Sequence, residues 1–473
     1  MYTFENLYIG GQWVAPKSGQ YHEINNPATE HTCARTPFAN DDDVVAAIDA
    51  ASAAFPAWSK TSAAERCEFI NAAADRMDHR AHDFADAITT TMGCPKGLAI
   101  DIQVKGAIEG LRSFATLAHK IEEVEESEYC SITREAVGVC TLINPWNYPL
   151  GQLAGKLGPA LAAGCTVVAK PAEQTPVQDF LIAEVLDEVG LPPGVFNLIT
   201  GSGRKLGKTL CGHSKVDMVS LTGSAVAGVK VSEVAAPTIK RVCLELGGKS
   251  PFIITEDADL SAAVRYGVED VMVNSGQTCN ALTRMLVPQA NYAEAVSIAK
   301  AVAEEFVVGD PQDMETTMGP LSSEAQRKTV VAFIEKGIAE GARLVTGGPS
   351  RPKGVAKGAY VLPTIFADVD NKMEIAREEI FGPVLCMIPY GDIGEAIEMA
   401  NDSIYGLSSA VYARNEGDAM AIAHQLRAGQ CYIQGAYFNS NAPFGGYKQS
   451  GNGREWGTHG LDEYLELKAI IAT

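Results

Sequence analysis

From residue 40 to about 120, apolar positions recur at helical spacing. Asp41, Asp42 and Asp43 follow Asn40, and Val44, Val45, Ile48 and Ala51 then form one stripe. Acidic residues at the start of such a run suit the positive end of a helix dipole, so a helix is predicted from Asn40. Upstream, YIGGQWV and YHEINNPATE read as short strands around a Gly-Gly turn. Over 121–138 (IEEVEESEYCSITREAVG) charges alternate with β-branched and aromatic residues around a polar turn. This predicts an exposed hairpin, a candidate contact between subunits. From 139 the pattern becomes short, continuous apolar runs: VCTLIN, CTVVAK, VFNLIT, DMVSLTG, RVCLEL and PFIIT. Such runs fit strands buried on both faces of a parallel sheet, and helical segments such as PVQDFLIAEVLDEVG separate several of them. A helix starting near Asp257 leads to Cys279, further helix–strand alternation runs to about 430, and YLELKAIIAT closes the chain as a last strand.

At 473 residues the chain is too long for one core, so two or three domains are expected. Its net charge of −20 argues against a nucleic-acid partner or an anionic membrane surface. No apolar run is long enough to span a bilayer, and the N-terminus lacks the basic and apolar regions of a secretory signal. Eleven cysteines are scattered singly without a CxxC pair, as expected of reduced thiols in a cytoplasm rather than a disulfide framework or a zinc site. His79 and His82 lack a third ligand, and no metal is expected.

Three short segments are candidates for chemistry. In NSGQTCNALTR (274–284), Cys279 lies among glycine and polar residues, whereas Cys140, Cys165 and Cys243 lie in apolar runs. Read alone, Cys279 fits a nucleophile or a buried structural thiol. In LELGGKS (244–250), Glu245 ends an apolar strand just before Gly247 and Gly248. A carboxylate there can face the crevice of an open α/β sheet, or be an edge residue in water. In NPWNYPL (144–150), Asn144 and Asn147 bracket Pro145-Trp146 on constrained backbone. A rigid Asn amide can donate to a developing oxyanion, and it can equally cap a polar turn.

NPWNYPL, KPAEQTP, LTGSAVAG, LELGGKSP, NSGQTCN, EEIFGPV and PFGGYKQSGNGRE stand in the order and approximate spacing of the aldehyde dehydrogenase superfamily. The resemblance runs from YIGGQWV to YLELK, nearly the whole chain. It implies oxidation of an aldehyde to the carboxylic acid with NAD or NADP through a cysteine thioester, with Cys279 as nucleophile, Glu245 as general base and Asn147 as oxyanion donor. The presence of Glu245 favours water over coenzyme A as acyl acceptor. Lys156 and Glu455 match positions that either relay a proton or form an ordinary internal ion pair. Lys170 and Glu173 fall at the adenine-side ribose, where a carboxylate repels a 2′-phosphate and so favours NAD over NADP. GSGRKLG (201–207) is a weak dinucleotide motif by itself; Gly203, Gly223, Ser224 and Leu246 are carried over as cofactor positions, with the pyrophosphate at Ser224. Ile143 and Trp146 match cofactor contacts, and Glu379 and Phe381 match residues that hold the nicotinamide ribose and flank the ring.

Substrate-channel positions fall at Gln152, Gly155, Thr278, Asn280, Phe438 and Phe444. Many relatives carry a bulky aromatic at the position of Gly155, and succinate-semialdehyde enzymes often an arginine. A wide, largely uncharged tunnel for aromatic or medium-chain aldehydes is therefore expected, with a semialdehyde-specific enzyme or a non-catalytic relative as alternatives. The expected fold is α/β. Residues 1–117 and 137–246 form a Rossmann-like, parallel-sheet cofactor domain, and 247–445 an α/β catalytic domain. Residues 118–136 and 460–473 form a protruding oligomerisation element of a homodimer or homotetramer.

Overall fold

The computed structural model describes residues 1–472; Thr473, the end of the expected 460–473 segment, lies outside the described residues. Two sheets organise the chain. The first has eight strands, five of them parallel: Arg241–Glu245, Met218–Thr222, Val139–Ile143, Thr166–Lys170 and Phe196–Leu198, in that spatial order. In sequence, Val139–Ile143 comes first, the next two strands extend the sheet to one side, and the last two to the other. The order therefore reverses between Val139–Ile143 and Met218–Thr222, and the crevice beyond their C-terminal ends is where open α/β sheets bind ligands. The antiparallel hairpin of Leu7–Ile9 and Gln12–Val14 closes one edge, with Leu7–Ile9 against Phe196–Leu198. Gly451–Asn452 closes the other against Arg241–Glu245, so the Gly-rich C-terminal segment returns to the sheet that ends in Glu245.

The second sheet has seven strands, with Pro251–Ile254 and Arg284–Pro288 near its centre and only Arg343–Thr346 antiparallel. The central strands of both sheets are buried on both faces, as the continuous apolar runs predict. The 121–138 segment contains the hairpin Glu125–Ser127 and Cys130–Ala136. Leu465–Ile471 pairs antiparallel with Cys130–Ala136 of the same chain, from Leu465 opposite Ala136 to Ile471 opposite Cys130. Among the described residues no helix is long and apolar enough to cross a membrane, and no group of three His, Cys, Asp or Glu could hold a metal.

The Asp41–Trp58 helix begins where the sequence places it, but its three acidic residues do different work. Asn40 Oδ1 accepts from the Asp43 N–H at 3.1 Å, while Asp43 Oδ2 accepts from the Asn40 N–H at 3.0 Å. Buried Asp43 also accepts from the Lys17 N–H at 3.0 Å, tying the N-terminal strands to the helix. Asp42 lies exposed at the same helix start. Asp43→Ala, which strands two N–H donors, should cost about 1–3 kcal/mol. Asp42→Ala should stay within about 0.5 kcal/mol. Urea unfolding midpoints of the two variants check the difference.

Candidate active site

Cys279 is delivered by a backbone turn that few sequences could adopt. After the Leu260–Met272 helix, Asn274, Ser275 and Gly276 take φ values of 54°, 56° and 72°. Two consecutive non-glycine residues in the left-handed region are costly and need external support. That support is a set of buried amides. Asn274 Nδ2 donates to the Asn147 carbonyl at 2.9 Å, and Gln277 Nε2 donates to the Asn274 carbonyl at 3.0 Å. The Ser322 N–H donates to Gln277 Oε1 at 2.8 Å, and Ser275 Oγ donates to the Gly319 carbonyl at 2.9 Å. Only glycine fits at 276, because a Cβ would lie 2.1 Å from the Gly382 carbonyl carbon. These supports were not singled out in the sequence. Their one signal is a run of polar residues in a segment that proves to be buried.

Asn147 belongs to the same network: its Nδ2 donates to the Gln277 carbonyl at 2.9 Å, which fixes the amide and leaves its second hydrogen uncommitted. Burial, with the Glu379, Glu245 and Glu455 carboxylates nearby, pushes the Cys279 thiol well above its ordinary value, so the resting sulfur is protonated.

Glu245 ends its strand opposite Thr222 and Gly451. It is buried, and neither carboxylate oxygen has a hydrogen-bond partner among the described residues. Burial first, and Glu455 second, hold its carboxyl well above the usual range; Lys156 and Arg454 oppose this. Gly445 is required beside it, since a Cβ there would lie 2.6 Å from Glu245 Oε1. Lys156 and Glu455 meet as an ion pair at 2.8 Å, with side chains 0% and 2% exposed. Lys156 Nζ also donates to Thr222 Oγ1 at 2.6 Å, and Glu455 is fixed by reciprocal 2.7 Å backbone bonds with Phe444. Both members of the pair are thus pinned.

The positions carried over for the cofactor gather at the crevice. Trp146 and Phe381 meet edge to face at 5.3 Å. Glu379 Oε1 accepts from the Gly248 N–H at 3.0 Å, and a Cβ on Gly247 would collide with this carboxylate at 2.2 Å. Burial pushes the Glu379 carboxyl up to about 7. Ile143 ends its strand, and the Leu246 side chain lies against Gly228. The Gly223 N–H donates to the Glu245 carbonyl, and Ser224 Oγ caps the Ala225–Ala235 helix by accepting from the Ala227 N–H. Among the described residues the Ala225 and Val226 N–H groups at that helix start have no acceptor and are left for an outside one. Glu173 Oε1 accepts from the Gly203 N–H at 3.1 Å, so the weak 201–207 motif meets KPAEQTP at Gly203. Burial lowers Lys170 to about 8, and its Nζ donates to the Pro171 carbonyl. A helix start with free N–H groups, a glycine cradle and a carboxylate beside a helix N-terminus fit a dinucleotide.

A cavity of about 390 Å3 leads to Cys279. Gln152, Thr278, Asn280, Phe438 and Phe444 line it, and Gly155 does not. A Cβ on Gly155 would lie 2.8 Å from the Trp456 indole, which also covers Gly110, stacks on Phe114 and meets Phe438 edge to face. The missing side chain at 155 therefore makes room for Trp456 and does not widen the tunnel. Glu269 and Asp270 are the two charged residues in an otherwise uncharged lining. Tyr148, Tyr266, Tyr432, Tyr437 and Trp456 complete its aromatic wall; of these, Tyr148 stands in NPWNYPL and Trp456 directly follows PFGGYKQSGNGRE. Gly155→Leu should overpack the site and lower the melting temperature, at a cost of roughly 1–3 kcal/mol. Adding Trp456→Ala should recover part of that loss, as a thermal-denaturation double-mutant cycle would show.

The aldehyde dehydrogenase family model matches residues 13–470. A 3-succinoylsemialdehyde-pyridine dehydrogenase of Pseudomonas sp is 48% identical, over 100% of this chain and 99% of that one. A mutant aldehyde dehydrogenase C of Pseudomonas syringae, solved with NAD+ and octanal, superposes with a TM-score of 0.98 at 46% identity, covering 99% of this chain and 96% of that one. The Mycobacterium tuberculosis aldehyde dehydrogenase, solved with NAD+, gives 0.97 at 40% identity over 100% and 99% of the two chains. With its seven motifs converging on one crevice, this chain belongs to the aldehyde dehydrogenase family.

Proposed function

We propose that the chain oxidises aromatic or medium-chain aldehydes to carboxylic acids with NAD, using Cys279 as nucleophile, Asn147 as oxyanion donor and Glu245 as general base. The observation that carries this reading is the placement of Cys279 at an aromatic-walled cavity, beside a pinned Asn147 amide and near an unpartnered, buried Glu245. The relatives solved with octanal and named for a pyridine semialdehyde support the substrate class. Residues 1–117 and 137–246 would hold the cofactor through Ser224, Glu173 and Glu379, and the enzyme would work in the cytoplasm.

The Cys279 sulfur adds to the aldehyde carbon once its proton has passed to solvent water. The new oxyanion is met by the free Asn147 amide hydrogen and the Cys279 N–H. NAD, when bound, supplies the hydride acceptor. The acyl group is left on Cys279 as a thioester. Glu245 then takes a proton from water, whose oxygen displaces the sulfur and releases the acid. The Lys156–Glu455 pair would relay that proton or hold the charge balance around Glu245.

Cys279→Ser should abolish NADH formation across an aldehyde panel. Glu245→Gln should slow turnover by about 10²–10⁴-fold and leave an acyl adduct visible in the intact-protein mass. Because the Cys279 and Glu245 groups are both raised, kcat/KM should climb with pH through and above neutrality. A flat profile would overturn the assignment. Glu173→Ser should lower the NAD-to-NADP preference by roughly tenfold or more, read as a ratio of kcat/KM values.

Exposed Leu467, Ile470, Ile471 and Tyr129 on the hairpin sheet favour a homodimer or homotetramer built there. Leu467→Glu with Ile471→Glu should lower the mass measured by light scattering.

A further inference from the structure

The cavity that ends at Cys279 holds two carboxylates, and neither lysine nor arginine lines it. Glu269 is already engaged, since Arg265 lies 3.2 Å from it and also pairs with Glu305 at the surface. Asp270 is different. Among the described residues it has no ion-pair partner, and its one hydrogen bond is from the Leu282 N–H to Oδ2 at 2.8 Å. The neighbours that could have donated to its other oxygen are spent elsewhere. The Tyr266 hydroxyl donates to the Ala436 carbonyl at 2.8 Å, and the Tyr432 hydroxyl to Gln430 Oε1 at 2.8 Å. The Tyr148 hydroxyl is bonded to Thr278 Oγ1 at 2.9 Å. A carboxyl oxygen thus faces the tunnel without a protein donor, between aromatic rings whose electron-rich faces attract cations.

We propose that Asp270 sets substrate choice, selecting aldehydes that carry a basic nitrogen along the chain or ring and disfavouring those that end in a carboxylate. The inference rests on the reading of Cys279 as the nucleophile at this cavity. Burial pushes the Asp270 carboxyl up to about 7. Asp270 and a basic nitrogen therefore need only one proton between them, held as a carboxylate facing an ammonium or as a carboxylic acid facing an unprotonated heteroaromatic nitrogen. A carboxylate tail would instead meet like charge with no compensating cation. The titratable groups facing Asp270 are the Tyr148, Tyr266 and Tyr432 hydroxyls and the Cys279 thiol, all raised above their ordinary values, with Glu269 beside it on its own helix.

The test compares octanal, its ω-amino analogue and its ω-carboxylate analogue, with shorter homologues of each, on the purified enzyme with NAD. The ω-amino series should exceed the ω-carboxylate series in kcat/KM on the order of tenfold or more at its best length. That ratio should rise between about pH 6 and 8 as Asp270 ionises. In Asp270→Asn, whose amide oxygen can still accept from Leu282, the ratio should fall toward one and lose its pH dependence. A carboxylate series as good as the amino series in the unmodified enzyme overturns the inference, as does an unchanged ratio in Asp270→Asn. If octanal itself gives no NADH, the reading of Cys279 fails instead. Thermal-shift binding of n-hexylamine and hexanoate to Cys279→Ser, with and without Asp270→Asn, then decides the role of Asp270 without turnover. Preferential binding of the amine, lost with Asp270, supports the inference, and equal binding of the two overturns it.

Discussion

The amide network of Asn147, Asn274 and Gln277 is the constraint on which the site depends. Asn147 follows a strand of the first sheet, while Asn274 and Gln277 follow a helix that leads toward the second. Two of their bonds, both 2.9 Å, span that junction, and a third of 3.0 Å lies within the turn; together they hold a left-handed turn that would otherwise relax. The position of Cys279 and the orientation of the Asn147 amide are therefore set together. A substitution that loosened one would misplace the other, and buried polar networks of this kind lose most when only partly satisfied.

Around this junction, glycine decides how closely the parts approach. Gly276 lets the turn lie on Gly382, Gly247 lets Glu379 cross the chain, and Gly445 leaves room for the Glu245 carboxylate. Gly155 follows the same logic in the tunnel, where the Trp456 indole takes the vacated space. Trp456 is in turn placed by Glu455, which is bonded to Phe444 and paired with Lys156. Tunnel shape and the charge balance near Glu245 are thus mechanically linked through two adjacent residues.

Electrostatically the site is rich in acid. Glu245, Glu379 and Glu455 lie near the sulfur, and among the described residues buried Lys156 is the one cation paired with any of them. In a medium of low dielectric, burial raises the Glu245 and Glu379 carboxyls and the Cys279 thiol together. Cys279 and Glu245 therefore hold their protons to higher pH than free groups would, which suits chemistry that begins by losing a proton. Asp270 extends the same acidity along the tunnel.

Much of this was legible in the chain. Periodicity placed the Asp41–Trp58 helix, the hairpin and the parallel strands, because each reflects a local pattern of burial. The ordered motifs marked Cys279, Glu245, Asn147 and the cofactor positions, since those residue types sit at fixed places on strand ends and turns. What the sequence by itself determined was the class of fold and the inventory of reactive groups. Tertiary structure alone decided that Gly155 is filled by Trp456, that Asp43 rather than Asp42 locks its helix, and that Asp270 faces the tunnel unpaired. The physical reason is common to all three: a residue's role there depends on which distant side chain lies against it, and spacing along the chain does not encode that neighbour.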